Sequence, residues 1–483
     1  MSENLNVVYH HPAYDEFEPE WSMIADCIDG ERRIKAEGEV YLPRPEEKPK
    51  YDVKSNDRYE AYKARAAFMN ATGRTMGGMI GVAFAKPPTV TMKGGMEKFE
   101  EDIDGRGQSI QQQIRDALNR NLASGRAGIF SDFTGTGEQS EREKGRPILR
   151  LFTAKNIINW RNRDGKDTLI VCEYEEPVDD DAFELRMMKY YLELRLVDGK
   201  AKARTWKPIA EGSSDYSMPE FIDLKDANGN HFDEIPWSWI GATNNDHTPD
   251  APPMADIAYM NIKHYQSEAD LAELSHLVGQ PMFGITGLTQ DWVDDNDMSG
   301  GIALGARKAV VLPVGGDIKF AQAEERTICL TLAERREKQM AALGAKLIER
   351  GVGARTATQA GNEAQTDNSI LSLAASNVED AYNRALKFAC RYLSESAEAS
   401  VELNKRYEIA QLDSAAIQAL ISAVQGGYLR KADFLRFMQS QSIIDSRDDV
   451  EEIEQELEDQ EPDLMEREDS GVTDENRKPK PTN

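Results

Sequence analysis

Between Pro253 and Arg350 the sequence sets two amphipathic helices around a short non-helical insert, and no other feature constrains the chain as tightly. Ala258, Ile262, Tyr265, Ala269 and Ala272 recur at intervals of 4, 3, 4 and 3, a heptad-like seam on a helix expected over 254–278. Gly279-Gln280-Pro281 ends that helix, since proline cannot continue it. Short β segments are expected at Met282–Thr286, Ile302–Leu304, Ala309–Pro313 and Ile318–Phe320. A second helix is expected from Glu324 to Arg350, with Leu332, Met340, Leu343 and Leu347 on one stripe and Glu334 and Lys338 as an i,i+4 pair. Two such helices can lie antiparallel and carry the insert at their tip. A hairpin of that kind exposes more apolar surface than one chain can cover, and copies of itself would bury it best.

The chain on either side reads as α+β. Residues 1–50 look like an extended arm closed by Pro43, Pro45 and Pro49. A helix is expected from Asp57 as N-cap through Tyr59, Tyr62, Ala66 and Met69, with Thr72-Gly73-Arg74 breaking it and a short apolar helix following. Ile110, Ile114, Leu118 and Leu122 mark an amphipathic helix ending at Gly125. Strands are expected at Gly128–Phe133, Ile148–Phe152, Thr168–Tyr174 and Tyr190–Val197, the last closing on Asp198-Gly199. Beyond the second helix of the hairpin, 351–368 is polar and aperiodic. Ile370, Ala374, Val378, Ala381, Ala385, Phe388 and Tyr392 then define a third long helix. Two shorter helices meet at Gly426-Gly427, the first capped by Asp413.

Charge narrows the function classes. The 483 residues carry 58 Lys and Arg against 85 Asp and Glu, a net −27 that repels nucleic acid at long range and disfavours a conventional DNA-binding protein. Residues 448–469 hold thirteen of the acids and one base, too acidic and too poor in apolar side chains to pack, so this end is expected to be disordered or a solvated helix. Cys27, Cys172, Cys329 and Cys390 lie far apart, which suits ordinary thiols in a reducing compartment. The charge-free stretch Thr75–Ala85 is too short to cross a bilayer, and no signal-peptide pattern opens the chain.

Catalytic signals are sparse. The sequence lacks a P-loop, GxGxxG, HExxH or GxSxG, and its six histidines include His264 and His276, twelve positions apart and too distant to share a metal. His10-His11 falls in the expected arm. Asp295, Asp297 and Ser299 match the opening of a calcium loop, but position 12 is Ala306, so a turn of solvated acids is the plainer reading. No catalytic residue, metal or cofactor is expected. Arg355, Thr356, Thr358, Gln359, Asn362, Gln365 and Asn368 form a donor-rich, glycine-flanked loop of the kind that touches a phosphate backbone without reading bases.

Several stretches in order resemble a family of phage portal-type proteins, the 4055 family, catalogued as a domain of unknown function. They are Tyr59–Thr75 with Gly81–Pro88, Gly125–Ile129, Ile157–Arg161, Pro252–Gly287 with Asn261, His264, Tyr265 and Gln280-Pro281, and the Thr356-Ala357-Thr358 loop. The resemblance implies a ring of about twelve copies at one capsid vertex of a tailed double-stranded DNA phage, the channel for packaging and ejection. It implies a wing at 1–250 and a stem of two helices at 251–278 and 324–350. A clip would lie at 279–323, a channel loop at 351–368, a long wing helix at 369–395, a helical crown at 396–447 and the acidic tail at 448–483. Ala258, Ile262, Tyr265, Ala269, Leu332, Met340, Leu343 and Leu347 would then serve stem packing and assembly. The implied partners are further copies of the chain, the terminase large subunit, a head–tail adaptor, and the major capsid and scaffolding proteins. Double-stranded DNA would pass without sequence-specific binding or a membrane. The location would be the virion, with assembly in the host cytoplasm. An acidic channel wall that lets DNA slide fits this picture. The alternative is an acidic interaction or scaffold protein with no DNA channel.

Overall fold

The computed structural model describes residues 6–45, 54–134, 145–178, 183, 185–209, 216–278, 282–287, 289, 314–321, 327–348, 369–393, 397–405, 422, 424, 430–440 and 453. The chain divides into two units, Met1–Arg406 and Tyr407–Asn483. The first is α+β, as expected.

Its N-terminal residues are helical and packed, which corrects the expectation of an arm. Helices α1 (Pro12–Asp29) and α2 (Glu31–Glu37) meet at Gly30, whose φ of +87° suits glycine. Trp21, Ile24 and Cys27 on α1 are buried. Their helical spacing was present in the sequence but interleaved with Asp15, Glu16, Glu18 and Glu20. Helix α3 runs Lys54–Arg65, so Asp57 lies inside it and is not its cap. Helix α4 (Ala71–Ala83) starts at the segment expected to break a helix. There the Asn70 side chain accepts the Gly73 N–H at 2.7 Å, turning Thr72-Gly73-Arg74 into a first turn.

Strand β1 (Thr89–Lys93) pairs antiparallel with β13 (Glu398–Glu402), so the expected crown segment begins with a strand held in the first unit. Helix α5 (Ile110–Ser124) has the expected course. A capping box of Ser109 and Gln112 starts it, and left-handed Gly125 (φ +63°) ends it. Strand β2 (Arg126–Phe133) is the centre of a three-stranded sheet between β3 (Pro147–Thr153) and β10 (Trp237–Gly241). Gly128 permits this packing, because a Cβ there would sit 1.9 Å from the Trp237 ring.

Strands β4 (Ile157–Arg163), β5 (Lys166–Val178), β6 (Arg186–Val197), β7 (Lys200–Pro208) and β8 (Tyr216–Ser217) follow one another as an antiparallel meander, with β9 (Ile222–Asp223) also on β7. Asp164-Gly165 and Asp198-Gly199 turn two of its hairpins with both residues at positive φ, the geometry that matches strand twist. Trp160, Trp206, Trp237, Trp239 and Phe232 form a core between the two sheets, joined by Phe388 and Tyr392. Those last two come from the third long helix.

Helix α6 (Ala255–Val278) leads to an antiparallel pair, β11 (Met282–Thr286) and β12 (Asp317–Ala321), and then to α7 (Thr327–Ile348). The expected strands at 302–304 and 309–313 lie outside the described residues. Helix α8 (Ile370–Arg391) is capped by Ser369 and buries Ala374, Val378, Ala381, Ala385 and Phe388 of the stripe read from the sequence, while Ile370 is 44% exposed and Leu371 takes the buried place in the first turn. Several of its polar groups have specific partners. Tyr382 donates to Gln113 at 3.1 Å, and Asn377 donates to the Gly241 carbonyl at 2.9 Å. The Ala385 carbonyl accepts from Ser131 at 2.9 Å. In the second unit, α9 (Lys431–Ser440) carries Arg430 and Asp433 as an ion pair over its first turn. The acidic stretch 448–469, apart from Ile453, and the Asp413 cap lie outside the described residues.

Candidate functional site

Helices α6 and α7 pack against each other, and α6 also packs against α1, α3 and α4. Four of the five seam residues read from the sequence are buried on α6, with Ala258, Ile262, Tyr265 and Ala269 between 0 and 7% exposed, while Ala272 is half-buried. Tyr265 meets the Phe68 ring edge-on with centroids 5.7 Å apart. Within one chain these residues face other elements of the same subunit. On α7, Met340 is buried and Leu343 half-buried. Leu332 differs from expectation: it is 38% exposed, and its neighbour Ala333 takes the buried position. A close helix–helix approach favours the smaller side chain. Gly344 marks a second close approach, since a Cβ there would lie 3.3 Å from Thr75. Leu347 lies in α7, but its side chain is outside the described residues.

A polar hub ties this helix pair to the body. Asn261, fully buried, accepts from the Ala71 N–H (3.1 Å), the Thr72 N–H (3.1 Å) and the Thr72 hydroxyl (3.0 Å). Its amide donates to the Met69 carbonyl at 2.8 Å. The side chain thus satisfies the otherwise orphaned N-terminal donors of α4 from another helix. Asn70 donates to the Ile28 carbonyl at 3.0 Å, adding α1 to the same junction. Arg336 on α7 donates to the Lys263 carbonyl and to Ser267 on α6. His264 is 2% exposed, with Nε2 3.5 Å from Glu337 and 3.8 Å from Glu268. Two stretches quoted for the resemblance, Ala71–Arg74 and Asn261–Tyr265, therefore meet in space. The Asn261 hub was not read from the sequence. Its one signal was a polar residue within an apolar seam, and its partners lie about 190 positions away.

Large apolar side chains are exposed on both helices of the pair. Ile328 is 63% exposed, Leu330 47% and Leu332 38% on α7, with Tyr259 at 50% and Leu277 at 48% on α6.

Arg355, Thr356, Thr358, Gln359, Asn362, Gln365 and Asn368 lie outside the described residues, as do Asp295, Asp297 and Ser299. Among the described residues, no cluster of His, Cys, Asp and Glu could hold a metal ion, and no helix is long and apolar enough to cross a membrane. Cys27 and Cys172 are buried free thiols, and Cys329 and Cys390 are partly exposed. Burial pushes the Cys27 thiol up to about 12, away from nucleophilic use.

A family model described as "Domain of unknown function (DUF4055)" matches residues 253–393. No curated protein matches the chain. Among solved structures it is similar to a chain of the "Virion of native gene transfer agent (GTA) particle", with 13% identity and a TM-score of 0.38, covering 83% of this chain and 96% of that one. For the "Neck of empty GTA particle computed with C6 symmetry" the identity is 13% and the TM-score 0.39, over 85% and 98%. For the "Neck of native GTA particle computed with C12 symmetry" they are 13% and 0.37, over 82% and 97%. Residues 253–393, which hold α6, the β11–β12 pair, α7 and α8, are thus a match to the DUF4055 family that the sequence resembles.

Proposed function

We propose that this chain is a portal-type subunit that assembles with copies of itself into a ring around a DNA channel in a phage-like particle. The observation that carries the reading is the set of large apolar side chains left exposed on the helix pair, Ile328, Leu330 and Leu332 with Tyr259 and Leu277, which no other described residue covers. A helix pair of this kind inside the DUF4055 segment suits a stem that neighbouring copies complete. In this reading β11 and β12 begin and end the clip, and 351–368 forms the channel loop. Residues 1–250 with α8 make the wing, and terminase and then an adaptor dock at the clip. No chemical step is asked of the chain. The net charge of −27 suits a wall along which DNA slides.

Native mass and negative-stain imaging of the purified full chain test this. Rings of about twelve copies with a central hole are expected. A monodisperse monomer that no concentration or scaffold converts to rings would overturn it.

A further inference from the structure

Where α1 begins beside β4, the structure holds a cavity of about 610 Å³ whose lining contains no acid, in a chain with 85 acids. It is built by β4, the edge strand of the meander. The pairing of β4 with β5 shifts register between Ile157 and Asn159, a bulge that releases the Ile158 carbonyl to accept the His11 N–H at 2.8 Å. That bond seats the first turn of α1 against the strand. His11 caps the helix and stacks on Trp160 with centroids 4.0 Å apart. The positive end of an 18-residue helix therefore borders the cavity.

Three further observations point to an anion. Arg161 and Arg163 on β4 line the cavity, exposed and without an ion pair among the described residues. Asn159 also lines it, and is 8% exposed with no hydrogen-bond partner for its side-chain amide among the described residues. Behind the wall, Arg126 is 1% exposed, lying 3.9 Å from the Trp160 ring and 4.2 Å from Trp239. One of its nitrogens donates to the His247 carbonyl at 2.7 Å, while Nε and Nη2 have no hydrogen-bond partner among the described residues. Burial pushes this guanidinium down to about 9, yet leaves it cationic at neutral pH. Asp167, paired across the hairpin with Asn162, is already engaged by Trp239 at 2.8 Å and Asn162 at 3.0 Å.

We propose that this cavity binds the phosphate group of a small molecule, with Arg161 and Arg163 as its charge partners and Asn159 as a neutral donor. Guanidinium groups pair with phosphate oxygens through directed, charge-assisted bonds, which favours phosphate over a less highly charged anion. The volume lies in the range of small-ligand sites. A polynucleotide fits less well, because a chain of net charge −27 repels a polyanion approaching from a distance.

Calorimetric titration of the full chain with inorganic pyrophosphate, and separately with poly-dT, tests the proposal. Pyrophosphate should bind the native chain and an Arg32→Gln control alike, and bind Arg161→Gln/Arg163→Gln at least about tenfold more weakly. Asn159→Ala should weaken it by a smaller factor, and poly-dT should give no heat. Both arginines are exposed, so the double variant should keep the native melting temperature. No pyrophosphate heat up to about 10 mM, or equal binding by the double variant, overturns the proposal. Poly-dT binding that depends on Arg161 and Arg163 overturns the small-molecule assignment in favour of a nucleic-acid backbone. None of these outcomes depends on ring formation.

Discussion

Asp132 and Glu193 are two acids that the fold treats in opposite ways. Burial raises the Asp132 carboxyl above its usual range, although the Phe133 N–H donates to it at 2.8 Å and Arg150 attracts it. The folded chain therefore keeps this proton to a higher pH than the unfolded chain, whose value is near 3.8. Its contribution to stability is greatest below that value and falls as pH rises towards the folded value. Asp132→Asn keeps the acceptor and removes the charge. It should melt higher than the native chain at about pH 7 and the same near pH 3, measured by paired thermal scans. Glu193, 3% exposed, accepts from Arg204 at 2.7 Å and from Trp206 at 2.8 Å, with Arg204 directly across the strand pair. Glu193→Ala strands a buried guanidinium and should cost about 3–5 kcal/mol in urea unfolding, whereas Glu193→Leu/Arg204→Leu should cost much less. Equal losses in the two variants would show that the site's worth lies in packing and not in the paired charge.

At the scale of elements, the junction of α1, α4 and α6 depends on Asn261. Asn261→Ala removes three accepted bonds and one donated bond from a fully buried place. The loss should be about 3 kcal/mol, with early hydrogen exchange at Ala71 and Thr72. A variant with native stability and exchange would mean that water replaces the side chain there. The same junction explains what the sequence hid. Thr72-Gly73-Arg74 reads as a breaker because glycine disfavours helix, and it becomes a first turn only when Asn70 and Asn261 supply acceptors. By contrast α5, α6 and α8 were legible to within a few residues. Their apolar residues recur at helical spacing, and a local signal such as Gly125 marks an end.

For the whole molecule, the exposed and the buried faces of the helix pair make separate predictions. Ile262 and Tyr265 are buried inside one subunit, so Asp at both should unfold the chain and says little about assembly. Ile328→Ser/Leu330→Ser alters side chains that one subunit leaves exposed. The isolated subunit should keep its melting temperature while rings fall to a small fraction of the native yield, read by native mass. Rings at full yield would remove these two side chains from the interface.

The sequence by itself determined the α+β class, the two helices around a β insert, the turn at Asp198-Gly199 and the family resemblance. These follow from periodicity and local turn chemistry, which short segments carry on their own. Tertiary structure alone decided that residues 12–37 are packed helices, that His11 meets Trp160 with Arg126 stacked on the same ring, and that Asn159, Arg161 and Arg163 line one cavity. Those pairings join residues as far apart as 11 and 160. No local pattern encodes which of many compatible surfaces will meet, because that choice rests on the fit and burial of the assembled core.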